Sequence, residues 1–474
     1  MKTYQDLMAC NSEKDIILFM QDAVAEHKAS DKYRRAKAAG SYYDGENIDI
    51  MAVEKVVFDF QGRAHKDMFA ANHKIPSNFF RNVVDQEVSY LLGNGIGFEN
   101  EGTSKALGMN FSERVADALT YAAVDGVCFG FWNKEHLDVL YLTDDGARPG
   151  FVPLYDEESG ALRSGIRYWR LDDSSPIRMT LFEEDGATEY IKRKDKDMEI
   201  LTAKKPYKLS VFRSQVDGEI IMDGSNYPFF PIVPLRYNAK ERSELDGKRY
   251  TVAALDLVTS NMVNNISEAD LIYWVLTNCQ GMSEADDMRF IEALKTTHVV
   301  HADGDDGAKA EAHSIDAPYA ATKEAAEMLT KRLYTDFQAF DPESVSAGNQ
   351  TATAIKAAYV PLDLKSDKTE RRVTEFVRAI MALAGVSDDN PTYTRNQIIN
   401  KTEETQNILL GAEYYDDEYV TRKLLTINGD ADQADEILRR KDAEGSSRFY
   451  GGTSTPEEEE SGAQGVFDGV AGFC

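Results

Sequence analysis

Residues 317–340, APYAATKEAAEMLTKRLYTDFQAF, predict a long amphipathic helix. Asp316 is a candidate N-cap, and Pro318 falls in the first turn, where a missing N–H costs no hydrogen bond. We expect the helix to end at Asp341-Pro342, because proline disfavours helical geometry in the residue before it. The apolar residues recur at steps of three and four and therefore share one face. They are Ala326, Leu329, Leu333, Phe337 and Phe340.

Residues 341–350, DPESVSAGNQ, predict a polar loop, and residues 351–385, TATAIKAAYVPLDLKSDKTERRVTEFVRAIMALAG, predict a second, longer helix. Small and polar residues without an apolar anchor are typical of an exposed, mobile loop. Gly385 is placed to cap the second helix, since glycine readily adopts the left-handed conformation at a helix end. Pro361 lies inside this helix, so we expect a kink there.

The composition is that of a large, acidic globular chain. Its 474 residues allow two or three domains, and 53 Lys and Arg against 81 Asp and Glu give a net charge of −28. A field of this sign opposes non-specific adhesion to nucleic acid and to anionic membranes. It remains compatible with a nucleic acid that slides past the protein without binding.

Cysteine usage and hydropathy indicate reduced thiols and no membrane insertion. The four cysteines, Cys10, Cys128, Cys279 and Cys474, are far apart and form no C-x-x-C pair, which disfavours a disulfide or zinc framework. The N-terminus lacks a signal-peptide pattern, and the most apolar run, Leu271 to Leu276, is too short to cross a bilayer. We therefore expect a protein that is neither secreted nor membrane-spanning.

The first half of the chain predicts helices followed by an antiparallel β region. Helices are expected over residues 12–39, with Ser12 as cap and Gly40 as stop, then over 77–92 and 112–124. The prolines at 228, 231 and 234 should end the β region near Asn238. A period of two predicts the strands. These are residues 126–132, 137–142, 165–171, 177–183, 187–194 and 207–214.

The second half is predicted to be mainly helical. A long helix over residues 251–277 carries apolar residues on one face, and the other face carries Asp256, Ser260, Asn261, Asn264 and Glu268. Residues 279–316 predict a short helix, 283–294, and a hairpin with strands 296–302 and 308–315. After Gly385 the chain is helical to about residue 444, and the acidic, glycine-rich remainder is expected to be disordered.

The sequence patterns indicate no catalytic or metal-binding constellation. There is no G-x-x-x-x-G-K-[ST] phosphate loop and no G-x-S-x-G motif, and Asn94-Gly95-Ile96-Gly97 closes a helix instead of opening one. His298 and His301 fall on opposite faces of a predicted strand, which disfavours a metal pair. We therefore predict no catalytic residue, no cofactor and no metal site.

The densest basic cluster lies on the helix after Pro361 and comprises Lys365, Lys368, Arg371 and Arg372. A solvated helix face, neutralised by Asp367 and Glu370 on the same helix, is the simpler interpretation. A nucleic-acid contact is the alternative.

Several motifs, in this order along the chain, resemble the portal proteins of tailed bacteriophages. The resemblance covers about residues 40 to 444. It departs from the family pattern at Asn94, where proline is frequent, and at Thr353-Ala354-Ile355-Lys356, where Ser-Gly often precedes Ala-Leu-Lys. The motifs are YYDG (42–45), NVVDQEVSYLLGNGIGF (82–98), PIVPLRYN (231–238), LDLVTS (255–260), LDLK (362–365) and NKTEET (400–405).

The resemblance implies an α+β portal-protein fold with long stem helices, a kinked wing helix, an antiparallel β wing domain, a small α/β clip and a helical crown. The implied division follows the chain. It gives an N-terminal helical segment (1–40), the wing (41–250), stem helix 1 (251–278), the clip (279–316), stem helix 2 (317–340), a tunnel loop (341–350), the kinked wing helix (351–385), the crown (386–444) and a disordered acidic tail (445–474).

The resemblance also implies a function without catalysis. The chain would form a homo-oligomeric ring, a dodecamer, at one capsid vertex of the virion after assembly in the host cytoplasm. Double-stranded DNA would pass through it during packaging and ejection. Its partners would be the terminase large subunit, the head-tail adaptor, and the major capsid and scaffolding proteins, with no membrane.

Three sets of residues are predicted to carry this function. The tunnel loop would line the channel with Glu343, Ser344, Val345, Ser346, Ala347, Gly348, Asn349 and Gln350. The second stem helix would present Lys323, Lys331 and Arg332 to the channel. The clip would dock partners through Glu284, Asp286, Asp287, Glu292, Asp303, Asp305 and Asp306.

Two other classes of function remain open from the residues alone. One is a different structural or adaptor protein of the virion, and the other is a hydrolase that uses carboxylates of the β region. A ring with a central hole, seen by electron microscopy, would fit only the portal interpretation.

Overall fold

The structure is a computed structural model, and the chain has an α+β architecture. Its described residues are 2–58, 61–67, 70–146, 148–172, 174–213, 220–269, 273–277, 309–313, 319–344, 352–386, 389–396, 401–429 and 433–440. They fall into two compact units. The first holds the described residues up to 344 together with 356–396, and the second holds 352–355, 401–429 and 433–440.

The N-terminal region consists of four helices and a small hairpin. The helices are α1 (Tyr4–Met8), α2 (Glu13–Ala29), α3 (Asp31–Tyr43) and α4 (Ile48–Met51), and the hairpin pairs β1 (Val56–Phe58) with β2 (Ala64–Lys66). The prediction of one helix over 12–39 is wrong at Ser30, which is extended and caps α3 by accepting a hydrogen bond from Tyr33 N at 3.2 Å. Gly40 lies inside α3 and does not stop it; the chain turns at Gly45, where φ is +80°.

Three helices then lead into the β region, and the predicted helices over 77–92 and 112–124 are confirmed. They are α5 (Phe79–Leu92), α6 (Glu101–Leu107) and α7 (Phe111–Asp125), and β3 (Ile96–Gly97) follows α5. The strands are β4 (Val127–Asn133), β5 (His136–Tyr141), β6 (Gly150–Tyr155), β7 (Leu162–Trp169), β8 (Ile177–Glu183), β9 (Gly186–Lys192), β10 (Glu199–Lys205), β11 (Lys208–Arg213), β12 (Ile220–Ser225) and β13 (Ile232–Arg236).

Eight of these strands form one sheet in the order β10-β9-β8-β7-β6-β5-β4-β13, while β11 and β12 form a separate hairpin. The prediction of an antiparallel sheet is correct except at one contact, because β5 and β6 run parallel where Tyr141 meets Gly150. The β region ends at Arg236, close to the predicted Asn238, but the prolines do not break the strand pattern as predicted. Pro234 lies within β13, opposite Phe129 of β4, and a proline is tolerated there because β13 is an edge strand.

Helix α8 (Arg249–Ala269) uses its polar face to hold an extended segment of the chain. The backbone N–H groups of His73, Ile75 and Ser77 donate to Asn264 Oδ1 at 2.6 Å, Ser260 Oγ at 3.0 Å and Asp256 Oδ1 at 2.9 Å. Four helical residues rise about 6 Å and two extended residues span about 6.6 Å, so the two repeats stay in register. The polar stripe recognised in the sequence is therefore a binding face for residues 73–77.

After α8 the structure differs from the predicted helix over 251–277. The helix ends at Ala269, and β14 (Tyr273–Thr277) pairs antiparallel with β15 (Lys309–His313). The predicted strand 308–315 is thus confirmed, but its partner is 273–277. The predicted helix 283–294 and strand 296–302 lie outside the described residues.

Helix α9 (Tyr319–Asp336) confirms the first predicted helix of residues 317–385 but ends before the proline. Gln338 has a φ of +51°, Ala339 N donates to Tyr334 O at 2.9 Å, and Gln338 N donates to Thr335 O at 3.1 Å. This pair of hydrogen bonds is a Schellman motif, and the helix ends at Asp336, six residues before Pro342. Leu333, Phe337 and Phe340 of the predicted stripe are buried.

Helix α10 (Ala352–Ala384) confirms the second predicted helix and continues through Pro361. Gly385 has a φ of +81°, and Val386 N donates to Met381 O at 2.9 Å, so the predicted glycine cap is confirmed. The short strand β16 (Thr392–Tyr393) then pairs with β3.

Three hydrophobic clusters hold the first unit. One packs α7 and α10 against the sheet, with Val115, Phe129 and Phe376 fully or almost fully buried. A second joins α3, α5, α8 and α9 around Phe80 and Phe337. The third packs α2 against strands β6 to β9.

The second unit contains the helices α11 (Lys401–Gly411) and α12 (Asp417–Asn428), which contact each other, and a short helix over 434–440. Arg422 of α12 joins this helix to the helix over 434–440 through an ion pair with Asp435 at 2.7 Å, and it also pairs with Glu418 of α12 at 2.9 Å. The prediction of helices after Gly385 is confirmed for these residues, and the tail from 445 lies outside the described part of the chain.

Candidate functional site

The predicted tunnel loop begins at a short, well-anchored turn. Glu343 and Ser344 lie in a single 3₁₀ turn, Pro342–Ser344, while Val345 to Gln350 lie outside the described residues. Asp341 organises the turn: its Oδ1 accepts from Glu343 N at 3.0 Å, and its backbone O accepts from Ser344 Oγ at 2.6 Å.

Phe340, the residue before this turn, is fixed by both its backbone and its ring. The Gln86 side chain donates to Phe340 O at 2.8 Å and accepts from Phe340 N at 2.9 Å, in the manner of a neighbouring strand. The Phe340 ring stacks on Tyr359 of α10 at 4.2 Å and 8°, and Tyr359 stacks on Tyr90 of α5 at 5.6 Å and 14°. Helix α5 therefore holds the chain on both sides of the predicted loop.

A buried ionic cluster lies next to this stack and joins four segments of the chain. Lys365 Nζ of α10 contacts Glu87 Oε2 of α5 at 2.8 Å and Glu244 Oε1 of the 237–248 connection at 3.2 Å. The same Nζ donates to Phe337 O at the end of α9 at 3.2 Å. The side chains of Lys365 and Glu87 are 8% and 1% exposed, so this charge pair is desolvated. We call Lys365, Glu87, Glu244, Tyr237 and Thr369 the junction cluster.

The remaining members of the junction cluster satisfy Glu87. Tyr237 Oη donates to Glu87 Oε2 at 2.8 Å and Thr369 Oγ1 donates to Glu87 Oε1 at 2.7 Å. Burial alone would lower the pKa of Lys365, but the charges of Glu87 and Glu244 outweigh burial and raise it. Burial, reinforced by the charge of Glu87, raises the pKa of Tyr237. The cluster therefore holds one ammonium between two carboxylates, with Tyr237 as a neutral donor.

The three cations predicted to face a channel lie on the exposed side of α9. Lys323 is 3.8 Å from Glu327 and Arg332 is 3.5 Å from Asp336, both as i,i+4 pairs on the surface. Lys331 is exposed and makes no ion pair with any residue that the structure describes. Such surface pairs are weak, so these cations keep most of their charge available to solvent.

The residues predicted to dock partners all lie outside the described ranges. Their flanks are described: Thr277 of β14 is the pairing partner of Lys309 of β15. Residues 278–308 therefore leave and rejoin the described chain at neighbouring positions.

The basic cluster of α10 does not have the arrangement expected from the sequence. Lys365 is buried in the junction cluster, so the interpretation as a solvated face is wrong for this residue. Asp367 and Glu370, expected to neutralise the cluster, instead bind Arg395, which also contacts Asp363 at 2.9 Å. Lys368 and Arg371 are left exposed without an ion pair among the described residues.

The described residues bear on two other function classes, metal binding and membrane insertion. They contain no group of three or more His, Cys, Asp or Glu side chains arranged to hold a metal ion. None of the helices within them has the length and apolar character needed to cross a membrane.

The sequence can be compared with those of known protein families. The sequence matches the family described as "Phage portal protein, SPP1 Gp6-like" over residues 22–124 and 148–447. The chain belongs to this portal protein family. It is 26% identical over 387 residues to the portal protein of Clostridium phage phiCD119, covering 77% of this chain and 83% of that protein. It is 23% identical over 424 residues to the portal protein of Bacillus phage SPP1, covering 78% and 76%.

Family membership confirms the resemblance found in the sequence and gives the chain a portal role as a component of the phage capsid. The portal protein family is structural, which is consistent with the prediction that the chain is not an enzyme. Sequence reasoning missed the junction cluster, although Lys365 was singled out. The available signal was its position: in α10 it lies three residues after the buried Leu362 and one before the buried Ser366.

Proposed function

We propose that this chain forms the dodecameric ring at one vertex of a phage capsid, through which double-stranded DNA passes during packaging and ejection. The observation that carries the proposal is the family match, which extends over both compact units. In the ring, residues 41–250 with α10 would form the wing, α8 and α9 the stem, 341–350 the tunnel loop, 386–444 the crown and 445–474 an acidic tail.

The proposed channel uses charge to let DNA slide. A net charge of −28 per copy gives the assembled ring a strongly negative field, which repels phosphates and opposes tight binding. Lys323, Lys331 and Arg332 of α9 would supply weak local contacts against this background. The channel-lining part of the tunnel loop, Glu343 to Gln350, would extend from the frame set by Phe340 and Tyr359.

The clip is proposed as the docking platform for the terminase large subunit and later for the head-tail adaptor. Pairing of β14 with β15 supports this, because an insertion whose two ends meet projects from one place in the subunit. Glu284, Asp286, Asp287, Glu292, Asp303, Asp305 and Asp306 would offer an acidic surface to basic partners. The major capsid and scaffolding proteins would contact the outside of the ring.

The ring itself is tested by negative-stain imaging and light scattering of the purified chain. A ring with a central hole is expected. A species that stays at the monomer mass of 53.0 kDa under all conditions would contradict the proposal.

The loop and the clip are tested separately within rings. Deleting Ser344 to Asn349 should block DNA packaging and leave the ring intact. Unchanged packaging would show that these residues are not the tunnel loop. Asp286→Lys with Asp287→Lys should leave assembly intact while terminase capture falls and loses its salt dependence. Unchanged capture would place the docking surface elsewhere.

A further inference from the structure

One cleft in the first unit carries positive charge that the described residues neutralise only in part. It lies between the edge strand β13 and helix α10 and is lined by Val233, Pro234, Arg236, Lys368, Arg371, Arg372, Glu375 and Phe376. Four cationic side chains therefore face one carboxylate. We call this the basic cleft.

The four cations of the basic cleft differ in whether an ion pair or a hydrogen bond engages them. Arg236 pairs with Glu241 at 2.6 Å, and Arg372 Nη1 donates to Arg236 O at 3.2 Å, where it covers the edge of β13. Lys368 and Arg371 make no ion pair with any residue in the described part of the chain, since Asp367 and Glu370 are held by Arg395. The cleft thus keeps two exposed cations in a protein in which acidic residues outnumber basic ones by 81 to 53.

The walls of the cleft favour a protein ligand over a nucleic acid. Val233 and Pro234, both partly buried, form an apolar wall that a peptide side chain can cover and a phosphate backbone cannot use, while Phe376 at the same cleft is almost fully buried. Along α10, the outward stripe continues from Arg371 and Lys368 to Leu364 and Val360, which are 55% and 48% exposed. The surface is therefore basic at one end and apolar at the other, and the negative field of the whole chain repels DNA.

We propose that the basic cleft and the adjoining stripe of α10 bind an acidic, partly apolar segment of an adjacent copy of this chain. The inference rests on the proposed ring, and it assigns one electrostatic contact within that ring to named residues. Charge complementarity selects this occupant, because every copy carries an excess of carboxylates and the cleft carries the opposite charge.

The first experiment measures assembly of the full-length chain against protein concentration. Lys368→Glu with Arg371→Glu should weaken assembly by about tenfold or more, because attraction at two positions becomes repulsion. The matched control, Lys105→Glu with Arg114→Glu, makes the same charge change at exposed helical positions and should assemble like the wild type. Lys368→Gln with Arg371→Gln should give an intermediate loss, and circular dichroism checks that each variant is folded.

Salt and crosslinking identify the contact directly. Raising the salt from about 0.1 M to about 1 M shortens the Debye length from about 10 Å to about 3 Å, which should weaken wild-type assembly and leave the glutamate variant almost unaffected. Carbodiimide treatment of a mixture of isotopically light and heavy chains should join Lys368 to a carboxylate of a chain with the other label.

Three results would overturn the inference. If the glutamate and the glutamine variants of Lys368 and Arg371 both assemble into rings like the wild type, the cleft is not an interface and the proposed ring stands. If the glutamate variant loses affinity for a short DNA duplex, relative to the matched control, and assembles normally, the cleft is a nucleic-acid site. If the wild type never assembles, the proposed ring fails and the inference fails with it.

Discussion

Replacing Lys365 with methionine tests whether the junction cluster holds the long helices together. The change removes the ammonium that contacts Glu87 at 2.8 Å, Glu244 at 3.2 Å and the Phe337 carbonyl at 3.2 Å. Glu87, 1% exposed, would keep Tyr237 and Thr369 as donors but would lose its only cation among the described residues. Breaking a buried ion pair by removing one partner costs about 3–5 kcal/mol, and we expect a loss of this size in the free energy of unfolding.

The assay is urea unfolding followed by circular dichroism, at one protein concentration for all variants because assembly adds to apparent stability. Lys323→Met is the matched control, since Lys323 is exposed on α9 and only 3.8 Å from Glu327. It should cost no more than about 0.5 kcal/mol. Glu87→Gln combined with Lys365→Met should recover part of the loss, because the glutamine oxygen accepts from one of the two hydroxyls of Tyr237 and Thr369, its amide N–H donates to the other, and no unpaired charge remains.

The double variant separates an electrostatic loss from a packing loss, because only an electrostatic loss is relieved when the charge of Glu87 is removed. A loss in Lys365→Met that stays within about 0.5 kcal/mol of the Lys323→Met control, or no recovery in the double variant, would refute the assigned role.

The remaining predictions concern stability at single sites. Burial raises the pKa of Asp125 to about 7, so its contribution to wild-type stability is complete below about pH 4 and is lost as the pH rises to about 7. Asp125→Asn, which still accepts from Thr143, should therefore gain stability relative to the wild type over that range, by up to about 1.4 kcal/mol per pH unit in thermal unfolding; a constant difference would contradict the shift. Gly130→Ala should destabilise by about 1–3 kcal/mol, because the added Cβ would lie 2.5 Å from the Phe376 ring. Gly40→Ala, inside α3, should stabilise by about 0.4–1 kcal/mol, because no atom beyond the chain neighbours and the backbone of α3 lies within 4 Å of the added Cβ; a loss there would show that the helix is strained.

Residues 317–385 show which parts of the fold a sequence can predict. The part of the stripe that lies in α9, Ala326, Leu329 and Leu333, and the cap at Gly385 were predicted correctly, because both depend on residues within one or two turns of helix. The end of α9 was placed too late, since the chain stops it with a left-handed Gln338, a residue type less typical of that conformation than glycine.

Elements that depend on distant partners were not predicted. Tyr273 to Thr277 reads as the end of a helix, yet it is a strand because Lys309 to His313 pair with it. A short apolar run does not distinguish the two structures by itself. Pro234 suggested a break in the sheet, and only the position of β13 at the sheet edge makes that proline acceptable.

The candidate sites were hidden for the same reason. The partners of Lys365 come from residues 87, 244 and 337, so its burial depends on three segments distant in sequence. The sequence predicted that Asp367 and Glu370 pair with the α10 cations. In the structure both carboxylates pair with Arg395, which follows α10 in the chain. Helical neighbours predict an ion pair only when no better partner is brought in by the fold.

Three carboxylates of α10 pair with Arg395 and not with the cations of the basic cleft. A surface ion pair contributes at most about 1 kcal/mol to stability. The chain has 81 acidic and 53 basic residues, so enough carboxylates are available to pair every exposed cation. At Arg395 three carboxylates gather around a single cation, while Lys368 and Arg371, on the same helix as those carboxylates, gain no partner within the described chain. One face of α10 therefore carries the carboxylates that surround Arg395, and the other face carries cations without an ion pair among the described residues. The second face is suited to bind carboxylates from another copy.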